Sequence, residues 1–144
     1  MKRMSTALHK GKIYLEAAGK ANTGQWVFVG SVEVLDKSIA DNELGKSILN
    51  VLNRSREGVP LPTSFDGPGN MAIAAGCKTW PQFARDAKSV SLEWVENQGT
   101  EFLPSRWEGP RKGGTLLEEK AFVVNDHSPA KLAAALRQAF DLCE

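Results

Sequence analysis

The sequence has little of what marks a membrane protein or a disulfide-rich secreted protein. It contains two cysteines, Cys77 and Cys143, without the spacing of a metal site or a redox pair, which indicates free thiols in a reducing compartment. No apolar run reaches the roughly 18 to 20 residues of a membrane helix, and the first residues lack the apolar core of a signal peptide. We therefore expect a cytoplasmic protein that does not contact a membrane.

An excess of charge of one sign is lacking as well. The chain has 18 basic and 17 acidic residues, a formal net charge of +1. A domain that neutralises many phosphates is usually far more basic, so this balance disfavours nucleic acid as the direct ligand. The length of 144 residues and the apolar content of 42% are ordinary for a globular protein, and we expect a single domain over residues 1–144.

Motifs for catalysis or cofactor binding are also missing. The sequence contains no Walker A, HExxH, GxSxG or dinucleotide-binding motif. His9 lies in the basic start of the chain and His127 directly precedes a helix cap, so both are predicted to be solvated surface residues. An enzyme built on His127 and the nearby Asp126 would lack a nucleophile and a metal-binding set. We therefore expect no catalysis, no cofactor and no metal.

The hydrophobic pattern predicts an α+β fold, in which amphipathic helices pack against an antiparallel-rich β-sheet. The first two strands form a hairpin, and the second of them is predicted to be buried on both faces for part of its length. The predicted elements are strands over 12–19 and 25–35, a helix over 40–54, short helices at about 69–75 and 79–86, strands over 90–95 and 100–103, extended segments over 115–117 and 120–125, and a last helix that begins at Ser128-Pro129.

A weak internal repeat relates the two long helices. Leu44 corresponds to Leu132 and Ile48 to Leu136, and each helix follows a pair of strands. The repeat leaves two explanations open, a duplicated ββα unit and a chance similarity. Both are compatible with an antiparallel-rich sheet that carries helices.

The region 90–119 holds an excess of carboxylates and two of the four tryptophans. Residues 105–114 are predicted to be an exposed, mobile loop. The pattern assigns Trp26 and Trp80 to the core, and leaves Trp94 and Trp107 as candidates for an exposed anchor. A partner with a basic site would be attracted to this region. The candidate partner-binding residues are Glu93, Glu96, Glu101, Trp107 and Glu108.

A second hypothesis remains open beside partner binding. The basic N-terminal segment could make the protein a small RNA-binding module with the sheet as its platform. The residues that would contact RNA are Lys2, Arg3, Lys10 and Lys12.

Three short motifs occur in a fixed order along the chain. They are ELG at 43–45, SREGVPLP at 55–62 and AGCKTWPQF at 75–83, and the strand VSLE follows at 90–93. Over roughly residues 12–103 this order resembles the bacterial immunity proteins of contact-dependent growth-inhibition systems. That family has the motifs ELG, SRxGVPxP and AGxKSWxxF, and Thr79 stands here in place of the usual serine.

The resemblance implies a small cytoplasmic protein without catalytic activity. It would bind and neutralise one toxin domain, the C-terminal part of a large secreted effector and commonly a nuclease that acts on RNA. Specificity would lie in the loop around Trp107, with Glu101 and Glu108 mimicking phosphates at the toxin's active or substrate-binding site. The residues that the family shares would be scaffold: Arg56, which ties the helix end to neighbouring carbonyls, together with Gly58, Pro60, Pro62, Trp80 and Phe83.

Overall fold

A computed structural model, which describes residues 1–144, shows an open sheet of eight strands with four α-helices packed against it. The elements are β1 (Lys2–His9), β2 (Lys12–Ala21), β3 (Trp26–Asp36), α1 (Asp41–Leu52), β4 (Glu57–Val59), α2 (Asn70–Ala74), α3 (Trp80–Ala84), β5 (Ala87–Val95), β6 (Gly99–Trp107), β7 (Gly114–Leu116), a 3-10 turn (Glu118–Lys120), β8 (Phe122–Val124) and α4 (Pro129–Leu142). The strand order is β3-β2-β1-β5-β6-β7, with β4 beside β2 and β8 beside β6. All neighbours are antiparallel except β2 and β4. The predicted α+β fold is confirmed.

The central strand β1 was not predicted from the sequence. It pairs with β2 on one side and β5 on the other, so it lies in the middle of the sheet rather than in a frayed terminus. Its pattern is hard to recognise because charged residues stand at its start, and because the polar side chains of Ser5 and His9 alternate with Met4 and Leu8. One face of β1 packs against α1 and α4, and α2 and α3 cover its other face only at the His9 end.

The main core lies between one face of the sheet and the two long helices. Alternate residues of β2, such as Ile13 and Leu15, point to this face and pack against α1 and α4. The apolar stripes of the helices complete the layer, with Leu44 and Ile48 on α1 and Leu136 on α4 fully buried. No helix has the length and hydropathy of a membrane-spanning segment.

The prediction that the second strand is buried on both faces is wrong. This strand, β3, lies at the edge of the sheet, where Phe28 and Val34 are 55% and 44% exposed. An apolar run alone does not distinguish a central strand from an edge strand that carries exposed apolar side chains.

The two hairpins and their long helices do not form superposable ββα units in the sheet. The strands β2 and β5 run in the same direction, because both are antiparallel to β1, but β3 and β6 lie on opposite sides of them. A rotation that superposed the β2-β3 hairpin on the β5-β6 hairpin would turn the sheet over. It would therefore carry α1 to the face opposite α4. The helices α1 and α4 pack in one core, so the two halves have opposite hands and do not superpose.

The predicted loop over 105–114 is shorter in the structure, because residues 105–107 continue strand β6. The two short helices are confirmed, and the Thr79 side chain caps α3 by accepting a hydrogen bond from the Gln82 N–H at 3.2 Å. Ser128 is the N-cap residue of α4 as predicted, but its hydroxyl makes no capping bond. Asp126 Oδ1 accepts a hydrogen bond from the Ser128 N–H at 2.8 Å instead.

His9 is buried, which corrects the prediction of a solvated side chain. Only 4% of the residue is exposed, and its ring stacks on Phe83 with 4.6 Å between the ring centroids. The Nε2 atom is buried without a hydrogen-bond partner. Burial, followed by the charge of Lys10, lowers the pKa of His9 below its ordinary value. The nearby Asp86 opposes this shift.

Acid should therefore destabilise the protein through His9. Because the folded state binds this proton less tightly than the unfolded state, stability is highest above the ordinary histidine pKa and falls as the pH drops through it. We expect urea unfolding to show that the free energy of unfolding falls between about pH 7 and about pH 5, and that it falls more for the wild type than for His9→Phe. Equal losses in the two proteins would mean that His9 does not carry the effect.

Candidate partner-binding surface

The second face of the sheet, turned away from α1 and α4, is only partly covered. We call it the open face, and its central positions are Ser5, Glu16 and Ser91. The short helices α2 and α3 cover one end of it, where Tyr14 and Phe83 form a small second core with Ala7, Met71 and Ala72. The remainder of the open face has no helix over it.

An open cavity of about 330 Å³ lies between the uncovered part of this face and the segment 67–71. Its floor includes a row of directly opposed residues on three strands, in which Ser5 pairs with Glu16 on one side and Ser91 on the other. Serine side chains are small, and they leave open the space that larger residues would fill. The cavity therefore follows from the residue types on the central strands.

Glu16 is the one ionisable side chain in the cavity lining, and it is only 1% exposed. Asn70 Nδ2 donates a hydrogen bond to Glu16 Oε2 at 2.6 Å, which ties the carboxyl to the start of α2. No cation of the chain forms an ion pair with it. Burial raises the pKa of Glu16, and the hydrogen bond from Asn70 opposes this shift.

The mouth of the cavity carries large apolar side chains that remain accessible. Phe28, Trp80 and Leu116 line the cavity and are 55%, 40% and 47% exposed. The prediction that Trp80 belongs to the core is therefore wrong; its ring packs beside Gly69 and lies 5.3 Å from the ring of Phe83. Exposed apolar groups around a cavity are typical of a binding surface. Sequence reasoning missed this group because its members come from β3, α3 and β7.

Three of the predicted partner-binding residues lie together at one end of the open face. Glu93 and Glu101 are directly opposed on β5 and β6, and Glu96 is exposed in the turn between these strands. Arg3 Nη2 contacts Glu93 Oε1 at 2.6 Å, so the charge of Glu93 is compensated within the chain. Glu96 and Glu101 have no ion-pair partner.

The other two predicted residues lie at the far end of β6. Trp107 lies six positions after Glu101, a distance of about 20 Å along a strand. Trp107 is half-buried in β6, which corrects its placement in an exposed loop. Glu108 accepts a hydrogen bond from Thr115 Oγ1 at 2.6 Å and pairs with Arg106 at 3.2 Å, and these contacts lower its pKa. The five residues thus form two groups rather than one patch.

The remaining candidates take structural roles. Trp94 packs against the core and is partly buried under the Lys2 ammonium, which lies 5.4 Å from its ring centroid. His127 is half-buried rather than solvated, and its Nε2 lies 3.2 Å from the hydroxyl of Thr100. Asp126 accepts the hydrogen bond from the Ser128 N–H just before α4, and its carboxylate makes no hydrogen bond to His127.

The four basic residues of the RNA-binding hypothesis do not form one surface. Lys2 and Arg3 stand at the start of β1, whereas Lys10 and Lys12 follow its end about 25 Å away. Three of the four pair with carboxylates of the chain. Lys2 donates a hydrogen bond to Asn53 Oδ1 at 2.9 Å. This arrangement does not support a basic platform for RNA.

The motif at 55–62 stabilises the chain through a different residue than expected. Arg56 is exposed and makes no side-chain hydrogen bond, so its expected contact with carbonyls at the helix end is wrong. The buried Ser55 hydroxyl instead accepts a hydrogen bond from the Arg3 N–H at 3.0 Å and donates one to the Ala18 carbonyl. Ser55 thereby joins the end of α1 to two central strands.

Comparison with known proteins gives a match at the level of the fold. No family model and no curated protein matches the sequence. A protein of unknown function from Neisseria meningitidis has a similar structure, with a TM-score of 0.77, 17% sequence identity and coverage of 99% of this chain and 95% of the other. A chain of the CdiA-CT/CdiI toxin and immunity complex from Yersinia pseudotuberculosis has a TM-score of 0.72, 19% identity and coverage of 99% and 97%. The chain therefore has the fold of these two proteins along nearly its whole length.

Proposed function

We propose that this protein is an immunity protein of a contact-dependent growth-inhibition system, which binds and neutralises one cognate toxin domain. The observation that carries the proposal is the agreement in fold, over 99% of this chain, with a chain of a toxin and immunity complex. The ordered motifs at 43–45, 55–62 and 75–83 support it independently, because they come from the sequence rather than from the fold. The protein would act in the cytoplasm, by binding and not by catalysis.

The open face is the surface that we propose for the toxin. Its exposed apolar side chains can be desolvated at little cost, and Glu96 and Glu101 present carboxylates that no cation of the chain neutralises. Trp107 and the compensated carboxylates Glu93 and Glu108 would lie toward the rim of the complex. We propose that the toxin is a nuclease acting on RNA, whose basic active or substrate-binding site is occluded in a one-to-one complex.

Co-purification with the toxin domain of the neighbouring effector tests the function. We expect a one-to-one complex with nanomolar affinity in titration calorimetry, about 12 kcal/mol of binding free energy. Co-expression should abolish the toxicity of that domain and leave an unrelated toxin domain active. If the pair does not associate, or if the complex keeps the full toxicity, the proposed function is wrong.

Charge reversal at Glu96 and Glu101 should weaken the toxin complex. We expect the double variant Glu96→Lys, Glu101→Lys to raise the dissociation constant by about 10 to 100-fold at low salt and by less at high salt, because close charges across an interface are screened by ions. Titration calorimetry at two salt concentrations measures both values.

The matched control reverses one charge on the opposite side of the molecule. Glu43→Lys changes an exposed carboxylate of α1, a helix that covers the other face of the sheet. We expect its affinity for the toxin to equal that of the wild type. A loss of binding free energy in the control half as large as that in the double variant would show that net charge, and not the open face, sets the affinity, because the control changes half as much charge.

A further inference from the structure

The cavity of the open face contains a carboxyl group without a counterion. Only 1% of Glu16 is exposed, and Asn70 is its single side-chain hydrogen-bond partner. Arg3, the nearest basic residue along the open face of β1, is held in the contact with Glu93 and is stacked over the ring of Trp26 at 4.4 Å. The chain itself therefore does not supply a cation to Glu16.

Such a carboxyl is costly for the folded protein when it is ionised. A buried carboxylate without a compensating charge is destabilising, and an apolar side chain at the same position would avoid this cost. A cation that enters the cavity offsets this cost, because the buried pair then gains a charge-assisted hydrogen bond. The hydroxyls of Ser5 and Ser91 stand in the same row, make no hydrogen bond to other side chains, and can accept further bonds from an ammonium group.

The other walls of the cavity fit the apolar part of a ligand. Phe28, Trp80 and Leu116 surround the mouth, and Trp80 and Phe28 offer aromatic faces that attract both apolar groups and cations. A volume of about 330 Å³ is at the small end of ligand pockets. The lining thus combines one acidic group, a few hydroxyls and aromatic side chains in a space for a small molecule.

We propose that this cavity is a binding site for a small organic amine, whose ammonium group pairs with Glu16 and whose apolar body lies among Phe28, Trp80 and Leu116. Toxin binding is not required for this site, because the isolated chain contains every residue of it. If the amine does not bind, the proposed immunity function still stands. If the toxin does not bind, the proposed amine site still stands.

Titration calorimetry of the intact chain with 2-phenylethylamine tests the proposal. The matched neutral probe is 2-phenylethanol, which keeps the ring and replaces the ammonium group by a hydroxyl. We expect the amine to bind more tightly than the alcohol by about 10-fold or more, as hydrogen bonds to charged groups exceed neutral ones by this amount. In Glu16→Gln this preference should disappear while the alcohol binds as before.

Two further variants locate the site and control for the loss of charge. Ser91→Leu places a large side chain on the cavity floor and should abolish the binding of both probes, with thermal unfolding as the check that the variant folds. Glu43→Gln makes the same carboxyl-to-amide change on α1, across the sheet, and should bind the amine like the wild type. The proposal is overturned if the amine does not bind, if the amine and the alcohol bind equally, or if Glu16→Gln keeps the preference for the amine.

Discussion

Replacing Gly45 by alanine should destabilise the protein by about 3 kcal/mol, although alanine is the better helix former by about 1 kcal/mol. Gly45 lies in α1 where this helix meets the start of α4. A Cβ atom at Gly45 would lie 1.9 Å from the carbonyl oxygen of Pro129 and 2.4 Å from its Cα. These atoms belong to the backbone, so no side-chain rotation relieves the clash, and the two helices must separate.

Asn50→Ala is the control for this substitution. Asn50 is an exposed residue of the same helix, and its replacement changes helix propensity without touching α4. In urea unfolding, we expect the free energy of unfolding to stay the same or rise slightly in Asn50→Ala and to fall strongly in Gly45→Ala. A Gly45→Ala variant that is as stable as the wild type would show that the two helices do not cross as closely as described. The glycine of the ELG motif is thereby explained by packing.

Replacing Trp80 by alanine should raise the dissociation constant of the toxin complex by about 30-fold or more, which corresponds to about 2 kcal/mol. Trp80 is a large aromatic side chain that is 40% exposed at the mouth of the cavity on the proposed toxin surface. Residues of this type dominate the binding energy when a partner covers them. Titration calorimetry with the toxin domain measures the loss.

The control for Trp80 is Ile73→Ala. Ile73 is 62% exposed on α2 and does not line the cavity, so its truncation removes exposed apolar area away from the mouth. We expect Ile73→Ala to change the affinity by less than about 3-fold. Thermal unfolding of Trp80→Ala shows whether the packing of α3 against the sheet is intact. If it is, the loss of affinity comes from the lost contact with the toxin. A Trp80→Ala variant that folds and binds the toxin as tightly as the wild type would place the toxin elsewhere on the molecule.

Local patterns were sufficient to predict most elements of this fold. The alternation over β2 and the helical period over α1 come from residues that bury one face, and such periodicity is present in the sequence before folding. Strand β1 was missed because its charged start and its mixed open-face residues, Ser5 and His9, weaken that alternation. Its place between β2 and β5 depends on pairing with residues far along the chain, which no local pattern reports.

The candidate site could be predicted only in part. The sequence drew attention to the carboxylates at 93–108, but it could not show that Glu93 is neutralised by Arg3, 90 positions away, or that Glu108 is held by Arg106 and Thr115. The apolar mouth was not predicted, because Phe28 and Trp80 are ordinary core residues by pattern. Their exposure arises from the edge position of β3 and the short length of α3.

The sequence by itself determined the α+β class, the amphipathic helices and the ordered motifs that resemble immunity proteins, because these depend on residues close together along the chain. The tertiary structure alone decided the central place of β1, the opposite hands of the two ββα units, the burial of His9 and the cavity around Glu16. Each of these depends on which distant strands become neighbours. Strand pairing sets which side chains share a face, and the small helices α2 and α3 then leave part of that face uncovered.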